Sequence, residues 1–276
     1  MSSNTSVGEA VTPAVETYQL VRRFGDFAAV DHLDLRVRAG SFFGFLGPNG
    51  AGKSTTIKML TGLLAPSGGR ARVLGRDIAE EPLEVKRRIG VVPEDLNLFE
   101  RLTGGEMLAF TGRMYGLGRA EIAERSRELL ELMELDGEPR KLVVEYSHGM
   151  KKKLALACAL IHRPEMLFLD EPFEGVDAVA SRTLKALLSR LTERGLTVFL
   201  TSHVLEIVER LCTDIAIISA GRLVAAGPLD ELRRGIVVAG GEDTQGAGGL
   251  MPLEDYFIRV VGGARHTSDD ALQWLG

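Results

Sequence analysis

A glycine-rich segment that follows an apolar run constrains the fold of this chain more than any other feature. It fits the pattern G-x-x-x-x-G-K-[ST], with a predicted strand before it (Ser41 to Leu46) and a predicted helix after it (Lys53 to Leu63). Because glycine has no Cβ, backbone N–H groups of such a loop can converge on phosphate oxygens, and the helix adds the positive end of its dipole. The predicted phosphate-binding loop consists of Gly47, Pro48, Asn49, Gly50, Ala51, Gly52, Lys53 and Ser54.

Three side chains at the end of this segment are predicted to contact a bound nucleoside triphosphate. Lys53 is expected to reach the β- and γ-phosphates, which also makes it a candidate catalytic residue. The Ser54 hydroxyl is expected to ligate Mg²⁺, and Thr55 beside it is expected to belong to the nucleotide site. A glycine-rich turn with a chance lysine is the alternative, but the strand and the helix around the segment disfavour it.

A second apolar run ends in two carboxylates. Met166 to Asp170 predicts a buried strand, and Glu171 follows it directly. In proteins with a phosphate-binding loop, an aspartate at the end of such a strand supplies another Mg²⁺ contact, and this is the role predicted for Asp170. Glu171 is predicted to polarise an attacking water as a general base. Without the glycine-rich loop, the same residues would indicate only a strand followed by a turn.

The segment Tyr146 to Lys151 opens a helix predicted from Gly149 to His162. Ser147 is a good N-cap residue, and the N-terminus of this helix is a candidate second phosphate site. Three lysines, at 151 to 153, lie in the first turn, where the helix dipole disfavours positive charge. Either a nearby anion offsets that cost, or the lysines lie on a solvated face.

Buried apolar strands alternate with helices over most of the chain. This predicts an α/β fold with a mostly parallel sheet covered on both faces, preceded by an N-terminal antiparallel β region. Helical spacing without any strand signal from Thr103 to about Leu135 predicts a helical insertion. The predicted parts are a disordered tail (1–16), a P-loop NTPase domain (17–235) with a helical subdomain at about 95–160, and a Gly-rich link and tail with a short helix (236–276).

Charge and cysteine content narrow the function classes. The formal net charge of -5 provides no basic field, so general nucleic-acid binding is not expected. Cys158 lies in an apolar helical run, which argues against a disulfide framework and fits a reducing cytosol. No run of 18 or more apolar residues occurs, and the first sixteen residues lack the features of a signal peptide. A partner would therefore have to hold the chain at a membrane.

Together, these motifs resemble those of ATP-binding cassette ATPases. The glycine-rich loop, Tyr146 to Lys151, Met166 to Glu171 and Ser202-His203 occur in the order and approximate spacing of that family, over about Thr17 to Arg234. The resemblance implies an Mg²⁺-dependent ATPase in which two cassettes sandwich two ATP molecules and drive attached membrane domains. The implied partners are a transmembrane permease subunit and a second cassette, identical or different. The implied location is the cytoplasmic face of the membrane.

The resemblance also implies roles for single residues. Phe24 resembles the aromatic residue that stacks on adenine. Ser147 and Gly149 resemble the signature residues that close on the γ-phosphate of ATP bound to the other subunit. Asp177 resembles the aspartate at the dimer seam, and His203 resembles the switch histidine that contacts the γ-phosphate, which makes His203 a catalytic candidate.

The chain departs from the family pattern at three places. Glu94 stands where glutamine is usual, so it is predicted to bind Mg²⁺ or its water while it adds a negative charge. His148 stands where the signature commonly has glycine, which predicts a pH-sensitive affinity. Phe173-Glu174 replaces smaller polar residues. These variations, with Leu253 to Phe257, are similar to those of single-cassette bacterial exporters of drugs, antibiotics and lipids.

Two other classes of protein remain as alternatives. A soluble cassette ATPase would share the motifs, but translation members carry two cassettes in one chain. Repair members carry a long coiled coil, for which the interval from Gly52 to Ser147 is too short. A GTPase or P-loop kinase would not need the Ser147 segment, and the chain has no Asn-Lys-x-Asp guanine motif. Transport in the export direction is the leading hypothesis, and the sequence does not name the cargo.

Overall fold

The computed structural model describes residues 12–234 and 250–262, which form a two-sheet α/β fold. The predicted link at 239–249 lies outside the described residues. In chain order the strands and helices are β1 (Val15–Phe24), β2 (Phe27–Val37), β3 (Phe42–Leu46), α1 (Lys53–Leu60), β4 (Gly68–Val73), β5 (Arg76–Asp77), α2 (Pro82–Arg88), β6 (Ile89–Val92), α3 (Gly104–Met114), α4 (Arg119–Leu132), α5 (His148–Leu160), β7 (Met166–Asp170), α6 (Ala178–Glu193), β8 (Thr197–Ser202), α7 (Leu205–Leu211), β9 (Asp214–Ser219), β10 (Arg222–Pro228), α8 (Leu229–Arg233) and α9 (Leu253–Gly262).

The larger sheet has six strands in the order β10-β9-β3-β8-β7-β6. All of its pairings are parallel except that of β10 with β9. Every residue of β3, β7 and β8 is buried, as expected where both faces of a parallel sheet are covered. The predicted mostly parallel sheet is therefore confirmed.

The buried strands send alternate side chains into two hydrophobic cores. In β7, Leu167 and Leu169 join the core that includes α5 and α6, whereas Phe168 joins the core that includes α1 and the smaller sheet. There Phe168 packs against Phe199 of β8, with 5.4 Å between the ring centroids. An apolar run with no polar alternation thus packs against both layers.

The smaller sheet has four strands in the order β2-β1-β4-β5, all antiparallel, which confirms the predicted N-terminal β region. Its first strand begins inside the tail that was predicted for residues 1–16. Val15 is fully buried and pairs with Val37 on one side and Val73 on the other. Because this apolar side chain joins the core, the predicted tail is too long at its C-terminal end.

Helices α3, α4 and α5 occupy the stretch between β6 and β7, where helical spacing predicted an insertion. α3 begins with a capping box, in which the Thr103 hydroxyl accepts from the Glu106 N–H and the Glu106 carboxylate accepts from the Thr103 N–H. Leu108 of α3 and Met133 after α4 are fully buried in one core with α5. The extent of a helical subdomain, about 95–160, stays a prediction.

Helix ends differ from their predicted positions by a few residues. α1 ends at Leu60 and not at Leu63, because Gly62 takes a φ of 68° that closes the helix. The predicted C-terminal helix is confirmed as α9, which packs against α7, α8 and β10. Within the described ranges, no helix has both the length and the apolar character that crossing a bilayer requires.

Candidate functional site

The residues predicted to act together follow the carboxyl ends of four adjacent parallel strands. The glycine-rich loop follows β3, His203 follows β8, Glu171 follows β7, and Glu94 follows β6. Parallel neighbours end at the same edge of the sheet, which is where open α/β sheets bind ligands. A cavity of about 530 Å³ opens at this edge, and its walls include Phe24, Lys53, Ser54, Glu94, Glu171 and His203.

The glycines of the loop are required both by space and by backbone conformation. Gly52 has a φ of 106°, and a Cβ on it would lie 2.3 Å from the carbonyl oxygen of Ala29. A Cβ on Gly47 would lie 2.3 Å from the carbonyl oxygen of Ile218. Gly52 is also the N-cap of α1 and has no side chain to occupy the N–H groups of the first turn. Those N–H groups are therefore suited to an anion.

Lys53 lies over the inside of this loop. Its side chain is buried, and Nζ donates to the carbonyl oxygens of Gly47 at 2.8 Å and Pro48 at 3.3 Å. Asn49, Ser54 and Thr55 line the same cavity. The predicted placement of the loop between a strand and a helix is confirmed, while the contacts of these side chains with phosphates stay predictions.

Asp170 and Glu171 are held together by one buried threonine of the next strand. The Thr201 hydroxyl donates to Asp170 Oδ1 at 2.6 Å and accepts from the Glu171 N–H at 3.1 Å. Glu171 has a positive φ of 47°, which non-glycine residues seldom adopt and which often marks a functional site. The same hydroxyl thus binds the side chain of Asp170 but only the backbone of Glu171, which leaves the Glu171 carboxylate free to contact another group.

The Glu171 carboxylate turns toward His203. Its Oε2 lies 3.0 Å from His203 Nδ1 and accepts from the His203 N–H at 3.3 Å. The Glu171 side chain is 9% exposed, whereas that of His203 is 49% exposed. The two predicted catalytic candidates are therefore direct neighbours.

Glu94 belongs to a cluster of negative charge with Asp170, Glu171 and Glu174. Burial, followed by the charges of Asp170, Glu174 and Glu171, raises the pKa of Glu94 above its ordinary value. Glu174 also lines the cavity. Nearby carboxylates of this kind attract a cation. In the described residues no group of three or more His, Cys, Asp or Glu side chains has the arrangement of an all-protein metal site.

The N-terminus of α5 approaches one lining residue of this cavity, Glu174, but does not itself line it. The Ser147 hydroxyl accepts from the Met150 N–H at 3.2 Å, so Ser147 is an N-cap as predicted. Neither Ser147 nor Gly149 is among the residues that line the cavity. Within one chain, the structure does not bring them to Lys53 and Glu171.

The loop before α6 packs beside this helix N-terminus. A Cβ on Gly149 would lie 3.2 Å from Asp177 Oδ2, so a side chain there would require the Asp177 carboxylate to shift by a few tenths of an ångström. His148 Nε2 lies 3.2 Å from the carbonyl oxygen of Glu174. Asp177 caps α6, and its bonds to the backbone N–H groups there lower the pKa of its carboxyl. The predicted seam residue is thus a helix cap in contact with the signature segment.

The three lysines of α5 are paired, and two of them are buried. Lys152 and Lys153 are 3% and 7% exposed, so a solvated face is the wrong interpretation for these two. The positive charges are offset by groups of the chain itself. The pairs are Lys151 with Glu100 (3.3 Å), Lys152 with the carbonyl oxygen of Glu171 (3.1 Å) and Lys153 with Glu134 (2.6 Å).

Two aromatic rings, those of Phe24 and Phe27, line the same cavity. Phe24 is 49% exposed, and the Arg22 guanidinium lies over its ring with 4.6 Å to the centroid. Arg22 is itself fixed by a bond from its Nη1 to the carbonyl oxygen of Ala65. Phe27, which is 63% exposed, faces Phe24 across the turn of the β1–β2 hairpin and also lines the cavity.

The sequence analysis missed Phe27, which lines the cavity. Phe27 could have been found, because the short turn Gly25-Asp26 pairs it with Phe24 in the hairpin. The partners of Lys152 could not, because the segments after β6 and β7 are far away in sequence and become its neighbours only when α5 packs on the sheet.

A family model described as "ABC transporter" matches residues 30–174. That range contains the glycine-rich loop, Glu94, the N-terminus of α5 and the two carboxylates after β7. The match therefore covers most of the cavity walls and leaves out His203 and Phe24.

Two curated proteins are similar to most of the chain. One is the daunorubicin/doxorubicin resistance ATP-binding protein DrrA of Streptomyces peucetius, 43% identical over 222 residues, which are 80% of this chain and 67% of that protein. The other is the probable multidrug ABC transporter ATP-binding protein YbhF of Escherichia coli (strain K12), 41% identical over 82% of this chain and 38% of that protein. The chain thus spans well under half of the second relative.

A solved structure shares the fold. It is titled "Structure of ATP binding subunit of ABC transporter", is 30% identical in sequence and has a TM-score of 0.79. The match covers 90% of this chain and 99% of the solved chain.

Proposed function

The chain belongs to the ATP-binding and ATP-hydrolysing subunits of ABC transporters, and on that premise we propose how its residues divide the work. The observation that carries the proposal is the common cavity formed by the glycine-rich loop, Glu94, Glu171 and His203. ATP binds with its phosphates in the loop, where Lys53 and the N–H groups of α1 offset their charge. Phe24 stacks on the base, with Arg22 on the other face of its ring.

Mg²⁺ is the metal that this donor set fits. Mg²⁺ is usually bound through one or two carboxylates together with substrate phosphates and waters, and it does not need an all-protein cage. Ser54 and Asp170 would hold it, with Glu94 as a further ligand or a ligand of its water. The bound ion would neutralise charge that develops on the phosphates. Four carboxylates, those of Glu94, Asp170, Glu171 and Glu174, stand against the single ammonium group of Lys152 here, and this excess of negative charge supports a further cation.

In this proposal Glu171 acts as the general base, and His203 contacts the γ-phosphate. A carboxylate can accept a proton from water when it lies within hydrogen-bond reach of it. The contact of 3.0 Å with His203 fixes the direction of the Glu171 carboxylate. The buried Thr201 bonds fix its backbone. Most of the rate enhancement comes from this positioning and from charge stabilisation.

A second cassette completes each site. Ser147 and Gly149 do not line the cavity of their own chain, and they lie at the N-terminus of α5, where Ser147 is exposed. That helix end is suited to the γ-phosphate of ATP held by a partner. The arrangement supports a dimer with two ATP molecules at its interface, either of two identical chains or of a mixed pair.

A transmembrane permease subunit docks beside Glu94. Five residues after Glu94, Phe99 is 52% exposed and contacts Phe110 of α3 edge to face, with 5.0 Å between the ring centroids. Met114 at the end of α3 is 73% exposed. Exposed apolar patches of this kind mark interaction sites. Docking there would hold the chain at the cytoplasmic face of the membrane.

Export is the direction of transport that the relatives favour. One relative is named for resistance to daunorubicin and doxorubicin, and the other for multidrug transport. A resistance protein protects its cell by moving a compound outward, so the similarity supports an exporter. A soluble cassette ATPase is the second candidate, because it would share the same motifs.

The experiment that separates the two candidates is a pull-down from membranes. A tagged Glu171→Gln chain in ATP and Mg²⁺ is expected to recover a polytopic membrane protein. The control carries Phe99→Ser and Phe110→Ser as well, and it is expected to bind ATP equally but to lose that protein. Recovery of only ribosomes, nucleic acid or soluble proteins would place the soluble ATPase first. A Lys53→Ala chain that binds nucleotide normally would contradict the loop assignment.

A further inference from the structure

The helix that carries Ser147 also reaches the catalytic loops of its own chain. One turn beyond Ser147, the Lys152 side chain is directed inward and is only 3% exposed. Its Nζ donates to the carbonyl oxygen of Glu171 at 3.1 Å and lies 3.5 Å from the carbonyl oxygen of Glu94. One ammonium group therefore bridges the segments that follow β6 and β7.

The surroundings of Lys152 explain why a buried cation is tolerated there. Burial lowers the pKa of Lys152, whereas the charges of Glu174, Glu94, Asp170 and Glu171 act in the opposite direction. Several carboxylates thus face one ammonium group in a place shielded from water. Removing that group would leave two carbonyl oxygens without their shared donor and the carboxylates without the positive charge among them.

The neighbouring lysines do not make this connection. Lys151 pairs with Glu100 and Lys153 with Glu134, and both of these partners belong to the region between β6 and α5. Lys152 is the member of the run that crosses from α5 to the segment after β7.

We propose that Lys152 is a positioning residue that couples the two ATP sites of the dimer by joining the helix that serves the partner's ATP to Glu171 and Glu94 of its own site. The proposal rests on the proposed function, because only a dimer places Ser147 on a second nucleotide. When the N-terminus of α5 seats on the partner's γ-phosphate, any shift of the helix is passed through Lys152 to the two loops. The residue acts through the backbone of Glu171 and does not touch ATP.

The test compares Lys152→Met with Lys152→Arg and with Lys153→Met. Lys153→Met is the matched control, because it also removes a buried lysine of the same helix turn but leaves the Glu171 contact intact. For each chain the measurements are kcat and KM for ATP, the dissociation constant for ATP, and the melting temperature. ATP-dependent dimerisation is measured for each substitution in the Glu171→Gln background.

Lys152→Met is expected to lower kcat by about tenfold or more, since small displacements of catalytic groups have effects of this size. Its ATP affinity and its dimerisation are expected to remain within about twofold of the parent chain, well below the tenfold effects that 1.4 kcal/mol produces. Lys152→Arg, which keeps the charge and the donors, should restore most of kcat. Lys153→Met should keep kcat even if its melting temperature falls.

Three results would overturn the inference. One is a Lys152→Met chain with the kcat of the wild type. The second is an equal loss of kcat in Lys153→Met. The third is a loss of ATP affinity in Lys152→Met that accounts for its lower turnover. The second and third results would indicate a general structural role for Lys152. A wild-type chain that does not hydrolyse ATP would overturn the proposed function and the coupling together, so the two failures are distinguishable.

Discussion

Thr201 is the residue on which the geometry of the catalytic carboxylates depends most. Its hydroxyl serves Asp170 and Glu171 at once, and the side chain is fully buried. The positive φ of Glu171 needs such support, because a backbone in this region is strained for a residue with a side chain. A substitution at Thr201 should therefore disturb the site without removing a group that reacts.

Thr201→Val is expected to lower ATP turnover by about tenfold. It should also lower the free energy of unfolding by about 1 to 3 kcal/mol, because the Glu171 N–H and Asp170 lose a buried partner. Thr197→Val is the matched control on the same strand, since the Thr197 hydroxyl is also buried and accepts from the Gly40 N–H at 2.9 Å. Steady-state kinetics and urea unfolding of both chains check this. Equal turnover in the two variants would contradict the role given to Thr201.

Phe24 is the second residue whose role can be isolated. Base stacking on an aromatic ring contributes about 1 to 3 kcal/mol, so Phe24→Ala should weaken ATP binding by about fivefold or more. The turnover at saturating ATP should change little. Tyr18→Ala is the control, since Tyr18 is an equally exposed aromatic residue (48%) on the same strand and does not line the cavity. Titration with a fluorescent ATP analogue measures the affinity of both variants. Unchanged affinity in Phe24→Ala would mean that Phe24 does not contact the base.

At the scale of elements, α9 shows how a short terminal helix is held. Leu253 is fully buried and Tyr256 is 2% exposed, and both belong to the core that α7 and α8 share. Ile258 on the other side of the helix is 58% exposed. One face of the helix is thus part of the core and the other is not.

Leu253→Ala is expected to lower the free energy of unfolding by about 2 to 5 kcal/mol, because it leaves a cavity in a packed core. Ile258→Ala should change it by only about 0.5 kcal/mol, as exposed substitutions do. Thermal or urea unfolding compares the two. Equal stability of the two variants would show that α9 does not dock in solution as described.

The elements also show what the sequence could predict and why the rest was beyond it. The strand Met166–Asp170 and the glycine-rich loop were predicted correctly, because their signals are local: a bounded apolar run and a fixed spacing of glycines. The start of β1 at Val15 was missed, since its only signal is pairing with distant strands. The partners of Lys152 were missed for the same reason.

At the scale of the whole molecule, one chain carries parts of two different ATP sites. The cavity at the edge of the larger sheet carries Lys53, Glu171 and His203, and the N-terminus of α5 carries Ser147 outside it. Sequence motifs predicted all of these residues, but only the fold shows that they are separated within one chain. That separation is the physical reason to expect a dimer.

The most direct test of the account is the molar mass of the Glu171→Gln chain with and without ATP and Mg²⁺, measured by light scattering during gel filtration. The account predicts a monomer without nucleotide and a dimer with it, because binding without hydrolysis keeps the two sites closed. Adding Ser147→Arg to the same chain should preserve ATP binding and abolish the dimer, since the larger side chain blocks the helix N-terminus. A Glu171→Gln chain that stays monomeric in saturating ATP, or a Ser147→Arg chain that still dimerises, would contradict it.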